Sequence, residues 1–87
     1  MPLTDAVCRL ARPRERSYKL TDAQGMFLII RPNGSRLWRL SYRFAGKQKT
    51  MAFGSYPAVT LADARDRQLI ARRQIDWLVK QIWRVRN

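Results

Sequence analysis

Apolar and polar residues alternate with a period of two through much of the middle of this chain. That period is typical of β-strands with one buried face. The pattern predicts four strands, separated by residues that favour turns: Tyr18–Thr21, Met26–Arg31, Arg36–Phe44 and Gln48–Phe53. Because the intervening segments are short, we expect successive strands to pair antiparallel.

The segment Pro32-Asn33-Gly34 allows two hairpin registers. A two-residue Asn-Gly turn would pair Leu28 with Arg39, and it would need an amide hydrogen that proline lacks. A three-residue loop with Gly34 in the left-handed conformation pairs Leu28 with Trp38 and Met26 with Leu40. The second register keeps apolar residues together, so it is the one we predict.

A type II′ turn at Gly46-Lys47 is predicted for the next hairpin, pairing Tyr42 with Met51 and Leu40 with Phe53. The two turns then agree on which side chains share a face. The inward set is Leu20, Met26, Leu28, Ile30, Trp38, Leu40, Tyr42, Met51 and Phe53. The outward set is Lys19, Phe27, Ile29, Arg31, Leu37, Arg39, Ser41, Arg43, Gln48, Thr50 and Ala52.

Two helices are predicted at the ends of the chain. Thr4 is placed to cap a short helix that ends near Arg12, with Pro13 as its stop and with Leu3, Val7, Leu10 and Ala11 on its apolar side. Thr60 and Asp63 resemble a capping box for a long helix from Leu61 to about Val85. Its apolar residues recur at helical spacing: Leu61, Ala64, Leu69, Ile75, Leu78, Val79 and Ile82. We therefore predict an α+β fold, in which a small three- to four-stranded antiparallel sheet packs against the long C-terminal helix.

Charge changes the picture from fold to partner. The 87 residues allow one domain, and 18 basic residues against 6 acidic ones give a net charge of +12. Such a field attracts polyanions, and 14 of the basic residues are arginine, which suits bidentate contact with guanine or phosphate. The single cysteine, Cys8, excludes an internal disulfide and fits a reducing, cytoplasmic compartment. No apolar run reaches the roughly 18 residues that span a bilayer.

The outward set has the composition of a surface that meets DNA. Small residues at its centre allow close approach, and arginines at Arg31, Arg39 and Arg43 could reach guanine edges in the major groove. Ser41 lies between them, Lys19, Phe27 and Ile29 extend the surface, and Arg36, Lys47 and Lys49 are predicted in turns, where they would hold phosphates. The alternative is that a second protein layer covers the apolar residues Phe27, Ile29 and Leu37.

No catalytic, metal or cofactor site is predicted. The chain has no histidine, and its six acidic residues are scattered without the spacing of metal ligands. Tyr18, Tyr42 and Tyr56 are candidate nucleophiles by residue type, but no surrounding set of cations and proton donors is predicted to activate them.

Several short motifs together resemble the amino-terminal arm-binding domain of phage and prophage integrases, which are tyrosine recombinases. The resemblance covers residues 1–73. It rests on Gly25-Met26-Phe27-Leu28, Arg31-Pro32-Asn33-Gly34-Ser35, Leu37-Trp38-Arg39, Tyr42-Arg43-Phe44-Ala45-Gly46-Lys47, Phe53-Gly54-Ser55-Tyr56-Pro57 and Leu61-Ala62-Asp63-Ala64-Arg65. Leu3-Thr4-Asp5 and Lys19-Leu20-Thr21-Asp22 fit as well.

This resemblance implies a module that binds double-stranded DNA at arm-type sites beside the crossover region. In related modules a three-stranded sheet enters the major groove, which points to Arg31, Arg39, Ser41 and Arg43, with Lys47 and Lys49 nearby. The family's catalytic domain, whose active site includes histidine, has no counterpart here. We therefore expect a DNA-binding module without recombinase activity, either an excised domain or a truncated remnant.

Residues 74–87 depart from the family pattern and are predicted to form a divergent helical tail. Their apolar residues could pack on the core, pair with another chain or lie on a membrane surface; we favour packing or self-association. Two other functions stay open at this point, a protein-interaction or oligomerisation module and a general RNA-binding protein.

Overall fold

The computed structural model describes residues 3–23 and 25–86, with side chains as far as Gln81. A short helix α1 (Asp5–Leu10) precedes four strands, and a long helix α2 (Leu61–Arg86) follows them. The strands are β1 (Tyr18–Thr21), β2 (Met26–Ile30), β3 (Arg36–Phe44) and β4 (Lys47–Ser55). They form one antiparallel sheet in the order β1-β2-β3-β4, so the predicted α+β fold is confirmed.

The β2–β3 hairpin has the predicted register. Leu28 pairs with Trp38, and Met26 pairs with Leu40. The loop is closed by Gly34 N–H, which donates to the Arg31 carbonyl at 2.9 Å, and Gly34 adopts the left-handed φ of 92°. The Asn33 side chain accepts from the Ser35 amide at 3.0 Å. Pro32 thus lies in a loop position where no backbone N–H donor is needed.

The β3–β4 register differs from the prediction. Leu40 pairs with Met51 and Tyr42 with Lys49, a shift of two residues, so the predicted pairs Tyr42–Met51 and Leu40–Phe53 are wrong. The turn residues are Ala45 and Gly46, with φ of 54° and 77°, which is the type I′ pattern rather than II′ at Gly46-Lys47. A shift of two preserves the alternation of faces, so the inward and outward sets survive the error.

A bulge in β4 explains how Phe53 remains buried. The register shifts between Trp38 and Arg39, which pair with Gly54 and Ala52, and leaves Phe53 as the extra residue. Its carbonyl accepts from Arg67 Nη1 of α2 at 2.6 Å. Gly54 has a φ of 112°, and a Cβ there would lie 2.8 Å from Val59 Cγ2, so this corner of the sheet requires glycine.

The core lies between the inner face of the sheet and the two helices. Its fully buried sheet residues are Met26, Leu28, Ile30, Trp38 and Leu40, and the Trp38 indole N–H donates to the Val59 carbonyl at 2.8 Å. From the helices come Cys8, Leu61, Ala64 and Ala71. Leu20 and Met51 pack against this core partly buried, as their inward assignment predicts.

Helix α1 is capped as predicted but turns a different side inward. Thr4 Oγ1 accepts from the Val7 amide at 3.2 Å. Cys8 is the fully buried residue of this helix, whereas Val7 and Leu10 are exposed. The predicted apolar side is therefore wrong at those two positions. In a helix of six residues, one buried side chain and the Thr4 cap fix the rotation.

Helix α2 packs through its first half only. Leu61, Ala64, Gln68 and Ala71 are buried at helical spacing, whereas the predicted inward residue Leu69 is 53% exposed. Small residues let the helix lie close to the sheet. Beyond Gln74, Ile75 is half-buried, whereas Trp77, Leu78 and Val79 are exposed. The predicted packing of the tail on the core therefore does not hold for Trp77, Leu78 and Val79. The side chain of Ile82 lies outside the described residues.

A buried carboxylate joins three distant segments of the chain. Asp22, in the β1–β2 turn, accepts from the Leu3 amide at 2.9 Å and from Arg65 Nε and Nη2 of α2 at 3.1 Å each. Arg65 also donates to the Leu3 carbonyl at 2.9 Å, and the Gln68 amide donates to the Ala23 carbonyl at 3.1 Å. We call the Asp22, Arg65 and Leu3 contacts the Asp22 latch.

Replacing Asp22 by asparagine should destabilise the fold in a pH-dependent way. Burial opposes ionisation of Asp22, but the hydrogen bonds from Arg65 and the Leu3 amide outweigh it, so the pKa lies below its ordinary value. The latch thus contributes stability at neutral pH, which is lost as pH falls below about 4 and through the lower folded pKa. Because Arg65 is half exposed, Asp22→Asn should lower the free energy of unfolding at pH 7 by only about 1–2 kcal/mol in urea denaturation.

The matched control is Asp66→Asn, which removes the same charge from an exposed position of α2. An equal loss of stability in both variants, or an Asp22→Asn variant that keeps the acid-induced loss of the parent, would contradict the latch.

The Ala45–Gly46 turn predicts a stabilising substitution. Ala45 is exposed and holds a positive φ, a conformation that costs L-residues about 1–2 kcal/mol and that asparagine tolerates better. Ala45→Asn should therefore raise the free energy of unfolding by about 0.5–1 kcal/mol in the same denaturation assay. Ala58→Asn, at an exposed loop position without positive φ, should give no such gain.

Candidate nucleic-acid interface

The face of the sheet opposite α2 carries the predicted outward residues. Because directly paired residues share a face, the register groups them in cross-strand rows. The rows are Lys19, Ile29, Leu37 and Ser55; Thr21, Phe27, Arg39 and Ala52; Ser41 and Thr50; and Arg43 and Gln48. We call this surface the outer face. It brings Lys19, Phe27, Ile29, Arg39, Ser41 and Arg43 together as the sequence predicts, and Arg31 follows directly after β2 as an exposed residue.

At the centre of the outer face, Phe27 is covered rather than exposed. Only 8% of it is accessible, although it lies outside the main core cluster. The Lys19 ammonium lies 4.6 Å from the centroid of its ring, and Arg39 is its direct cross-strand partner. The ring of Phe27 is therefore not exposed on the outer face, because a cation occupies that side of the ring. Ile29 and Leu37 are half-buried in the neighbouring row, so an exposed apolar patch of these three residues does not form.

Arg39 is held in place by its surroundings. It is half-buried between Phe27 and Ala52, and its Nε is shielded from solvent without a hydrogen-bond partner among the described residues. A guanidinium that is partly enclosed in this way loses little side-chain freedom when its outer nitrogens meet a ligand. Arg43, near the end of the β3–β4 hairpin, is by contrast exposed.

Small polar residues separate the two arginines. Ser41 lies between Arg39 and Arg43 on the same strand and face, opposite Thr50. The Gln48 side-chain amide donates to the Ser41 hydroxyl, which ties β4 to β3 beside Arg43. Gln48 is a site residue that the sequence pattern did not single out, although its predicted outward position indicated that it could reach a neighbouring side chain.

Arg36, Lys47 and Lys49 are predicted in turns as phosphate contacts, but all three lie in strands, as the predicted strand bounds already imply for Arg36 and Lys49. Arg36 pairs with buried Ile30, so it belongs to the inner face; its Nη2 donates to the Ala11 carbonyl at 3.0 Å, and its guanidinium lies 5.8 Å from the Tyr56 ring centroid. Lys47 and Lys49 pair with Phe44 and Tyr42, so they emerge on the side opposite Arg43. The Lys49 ammonium lies 5.6 Å from the Phe44 ring centroid. The hairpin end thus carries exposed positive charge on both sides, whereas Arg36 is engaged in holding the fold.

The positive charge of the outer face is not balanced by an ion pair with a described carboxylate. The ion pairs of the described residues are Arg9 with Asp5 and Arg65 with Asp22, and neither lies on this face. Within residues 3–23 and 25–86, no group of three potential metal ligands is found. None of the described helices has the length and apolar content to cross a membrane. What the outer face offers is therefore cationic donors on one side of a four-stranded sheet.

Known proteins resemble this chain in sequence. The arm DNA-binding domain family matches residues 3–77. The chain is 38% identical to the integrase of Shigella phage Sf6 over 73 residues, which cover 84% of this chain and 19% of that protein. It is 40% identical to prophage integrase IntA of Escherichia coli K12 over 92 residues, covering 99% of this chain and 22% of that protein, and 36% identical to the integrase of enterobacteria phage P4 over 75 residues, covering 84% and 17%.

The chain therefore spans about a fifth of the length of these relatives. The matched region contains the whole sheet, the Asp22 latch and the first half of α2. On the extent of that match, this chain belongs to the arm DNA-binding domain family of phage and prophage integrases.

Proposed function

We propose that this chain binds double-stranded DNA in a sequence-specific way at arm-type sites, and that it acts in integration and site-specific recombination without itself cutting DNA. Membership of the arm DNA-binding domain family supports a DNA-binding role. The observation that carries the specific form of the proposal is the outer face, where Arg39 and Arg43 share one side of β3 with small residues between them.

The spacing of these arginines suits a major groove. Four residues along a strand span about 13 Å, close to the groove width of about 12 Å. Each guanidinium could therefore reach a different base pair, with bidentate bonds to guanine O6 and N7. Ser41 and Ala52 are small, so the sheet can approach base edges without steric conflict.

The remaining cations fit a positioning role. Lys47 and Lys49 emerge from the opposite side of the hairpin end, so we assign them to phosphates along one wall of the groove. Lys19 and Arg31, at the other end of the outer face, could hold phosphates of the opposite wall. Ile29 is placed to meet thymine methyls at the rim, and Phe27 acts beneath Lys19 by supporting the surface. Arg36 is left out of the interface because its guanidinium bonds to the Ala11 carbonyl.

The assignment predicts unequal effects of removing equal charges. A random-duplex selection should first yield a binding motif for the parent protein. Arg39→Ala should then weaken binding to that motif by about 1–3 kcal/mol and reduce the preference over unrelated DNA, because it removes a base contact. Arg43→Ala should act in the same way, measured by fluorescence anisotropy. Arg73→Ala removes the same charge from an exposed position of α2 and should change neither quantity appreciably.

Salt dependence separates phosphate contacts from base contacts. With about five phosphate contacts, log affinity should fall with log salt at a slope of about −4 to −5, and Lys47→Ala should make that slope shallower by about 1. If Arg39→Ala and Arg43→Ala bind the selected duplex like the parent, the groove assignment fails. If duplex RNA of equal length competes as well as DNA, a general polyanion-binding function replaces it, because the narrow major groove of A-form RNA should exclude the sheet.

A second candidate function, self-association, is favoured by the exposed apolar residues of the α2 tail. Trp77 is 60% exposed, and Leu78 and Val79 are also exposed beside it. Residues 74–81 carry one acidic and one basic residue, Asp76 and Lys80, so this is a locally neutral part of a strongly cationic chain. Two copies could approach here with little charge repulsion.

Sedimentation equilibrium tests this second candidate. The parent should form a concentration-dependent dimer, and Trp77→Ser should shift the equilibrium towards monomer. Leu10→Ser, which alters an exposed apolar residue far along the chain, should leave it unchanged. A parent protein that stays monomeric at high concentration would remove self-association from consideration, and it would leave the DNA-binding proposal unaffected.

A further inference from the structure

A second surface lies on the other side of the sheet from the outer face. It is an open groove of about 580 Å³ between α1 and β1, and we call it the α1–β1 groove. Val7, Leu10, Tyr18 and Leu20 supply its apolar lining, and Arg12 and Arg14 lie at its rim. Its volume falls within the range of ligand sites, roughly 300–1,000 Å³.

Two apolar residues of this groove are exposed to solvent and do not contribute to the core. Leu10 is 70% exposed and Val7 is 44% exposed, although both lie on a helix whose neighbour Cys8 is fully buried. Because burial of Cys8 fixes which side of α1 faces inward, Val7 and Leu10 remain outside the core. Contiguous exposed apolar residues beside a basic rim are typical of a protein-interaction site rather than of a solvated surface.

The rim is held rigidly by the connection between α1 and β1. The Tyr18 hydroxyl donates to the Arg12 carbonyl at 2.5 Å, and the Arg14 guanidinium lies 4.2 Å from the Tyr18 ring centroid. Arg36 Nη2 fixes the preceding carbonyl of Ala11. Within the described part of the chain, neither Arg12 nor Arg14 has a carboxylate partner. The site therefore presents Arg14 stacked on Tyr18, with Arg12 beside it, and no described carboxylate pairs with either guanidinium.

The groove faces away from the proposed DNA surface. Tyr18 and Leu20 pair with Ile30 and Leu28, which are buried on the inner face. Lys19, between them on β1, belongs to the outer face. The groove is also bordered by β1, the edge strand of the sheet, which pairs on one side only. A partner seated here would leave the outer face free.

We propose that the α1–β1 groove is a docking site for an acidic amphipathic segment of another protein, with apolar side chains placed on Leu10, Val7 and Leu20 and carboxylates paired with Arg12 and Arg14. Charge complementarity selects this occupant. A second copy of this chain is disfavoured at this groove because Arg12 and Arg14 would face a chain of net charge +12, whereas the α2 tail is locally neutral. DNA would satisfy the guanidinium groups but would leave the exposed aliphatic residues without apolar partners. The assignment stands independently of the proposed DNA-binding function.

The test uses the full chain and a short synthetic peptide in which leucine and glutamate alternate. Binding is followed by amide chemical shifts at about 0.15 M salt, where the screening length is about 8 Å and diffuse attraction to a cationic protein is weakened. Two control peptides separate the contributions, one with serine in place of leucine and one with lysine in place of glutamate. The expected shifts map to α1 and β1, and both control peptides should bind about tenfold more weakly or not at all.

Matched variants locate the site on the protein. Leu10→Ser should weaken binding of the leucine–glutamate peptide about tenfold, and Arg14→Gln about threefold. Because Leu10 is exposed, its replacement should leave the fold intact. Leu69→Ser, at an exposed apolar position of α2, should leave peptide affinity unchanged.

Other outcomes would overturn the proposal. These are shifts confined to α2 or the outer face, equal affinity for the leucine–lysine or serine–glutamate peptide, and absence of binding. Displacement of the peptide by the selected duplex would assign the groove to DNA instead, whereas a peptide and a duplex that bind together support two separate surfaces. Failure of the peptide to bind would leave the Arg39 and Arg43 measurements unaffected, so the two proposals can fail separately.

Discussion

The structure depends on the Asp22 latch. A thin sheet of four strands has no second sheet to fix its orientation, so α2 must be held at a defined angle across the inner face. Asp22 does this by accepting hydrogen bonds from both Arg65 and the Leu3 amide, which join the α2 helix, the β1–β2 turn and the start of the chain. A buried carboxylate is favourable only when its partners are well placed. The latch therefore stabilises the fold and holds Arg65 of α2 beside the β1–β2 turn and the start of the chain.

Leaving one side of the sheet without a helix determines where function can lie. On that outer face, Phe27 is covered by the Lys19 ammonium, with Arg39 as its cross-strand neighbour, rather than by an apolar layer. The same two side chains thus shield a hydrophobic residue and present positive charge outward. The outer face therefore exposes no apolar patch at Phe27 in the free protein. Lys19 is already held over the ring there.

The alternation of polar and apolar residues along the strands predicted the sheet and both of its faces. Both faces remained correct although the predicted β3–β4 turn was wrong. A shift of two residues in the β3–β4 register moves side chains along a strand but not to the other side. The turn itself was missed because Ala45 adopts a positive φ that alanine rarely accepts. Helical periodicity placed both helices but could not choose between adjacent sides. Cys8 and Gln68 turn inward where Val7 and Leu69 were expected, since close packing and hydrogen bonding to Ala23 outweigh hydrophobicity there. Contacts between side chains on the outer face, such as Gln48 with Ser41, depend on the strand register. The alternation of polar and apolar residues could therefore not predict them.

The charge of the chain links its stability to its partner. A domain of 87 residues has a small core, and a net charge of +12 opposes compaction through self-repulsion. Six carboxylates cannot offset this, and the Asp22 latch uses one of them for architecture rather than for general neutralisation. A polyanion that binds the folded state more tightly than the unfolded chain stabilises the folded state by mass action. Because Arg39 and Arg43 share one face at a fixed spacing only when β3 is formed and paired, DNA contacts that require both arginines would favour the folded sheet over the unfolded chain. Specific binding and folding would then reinforce each other through the same strand.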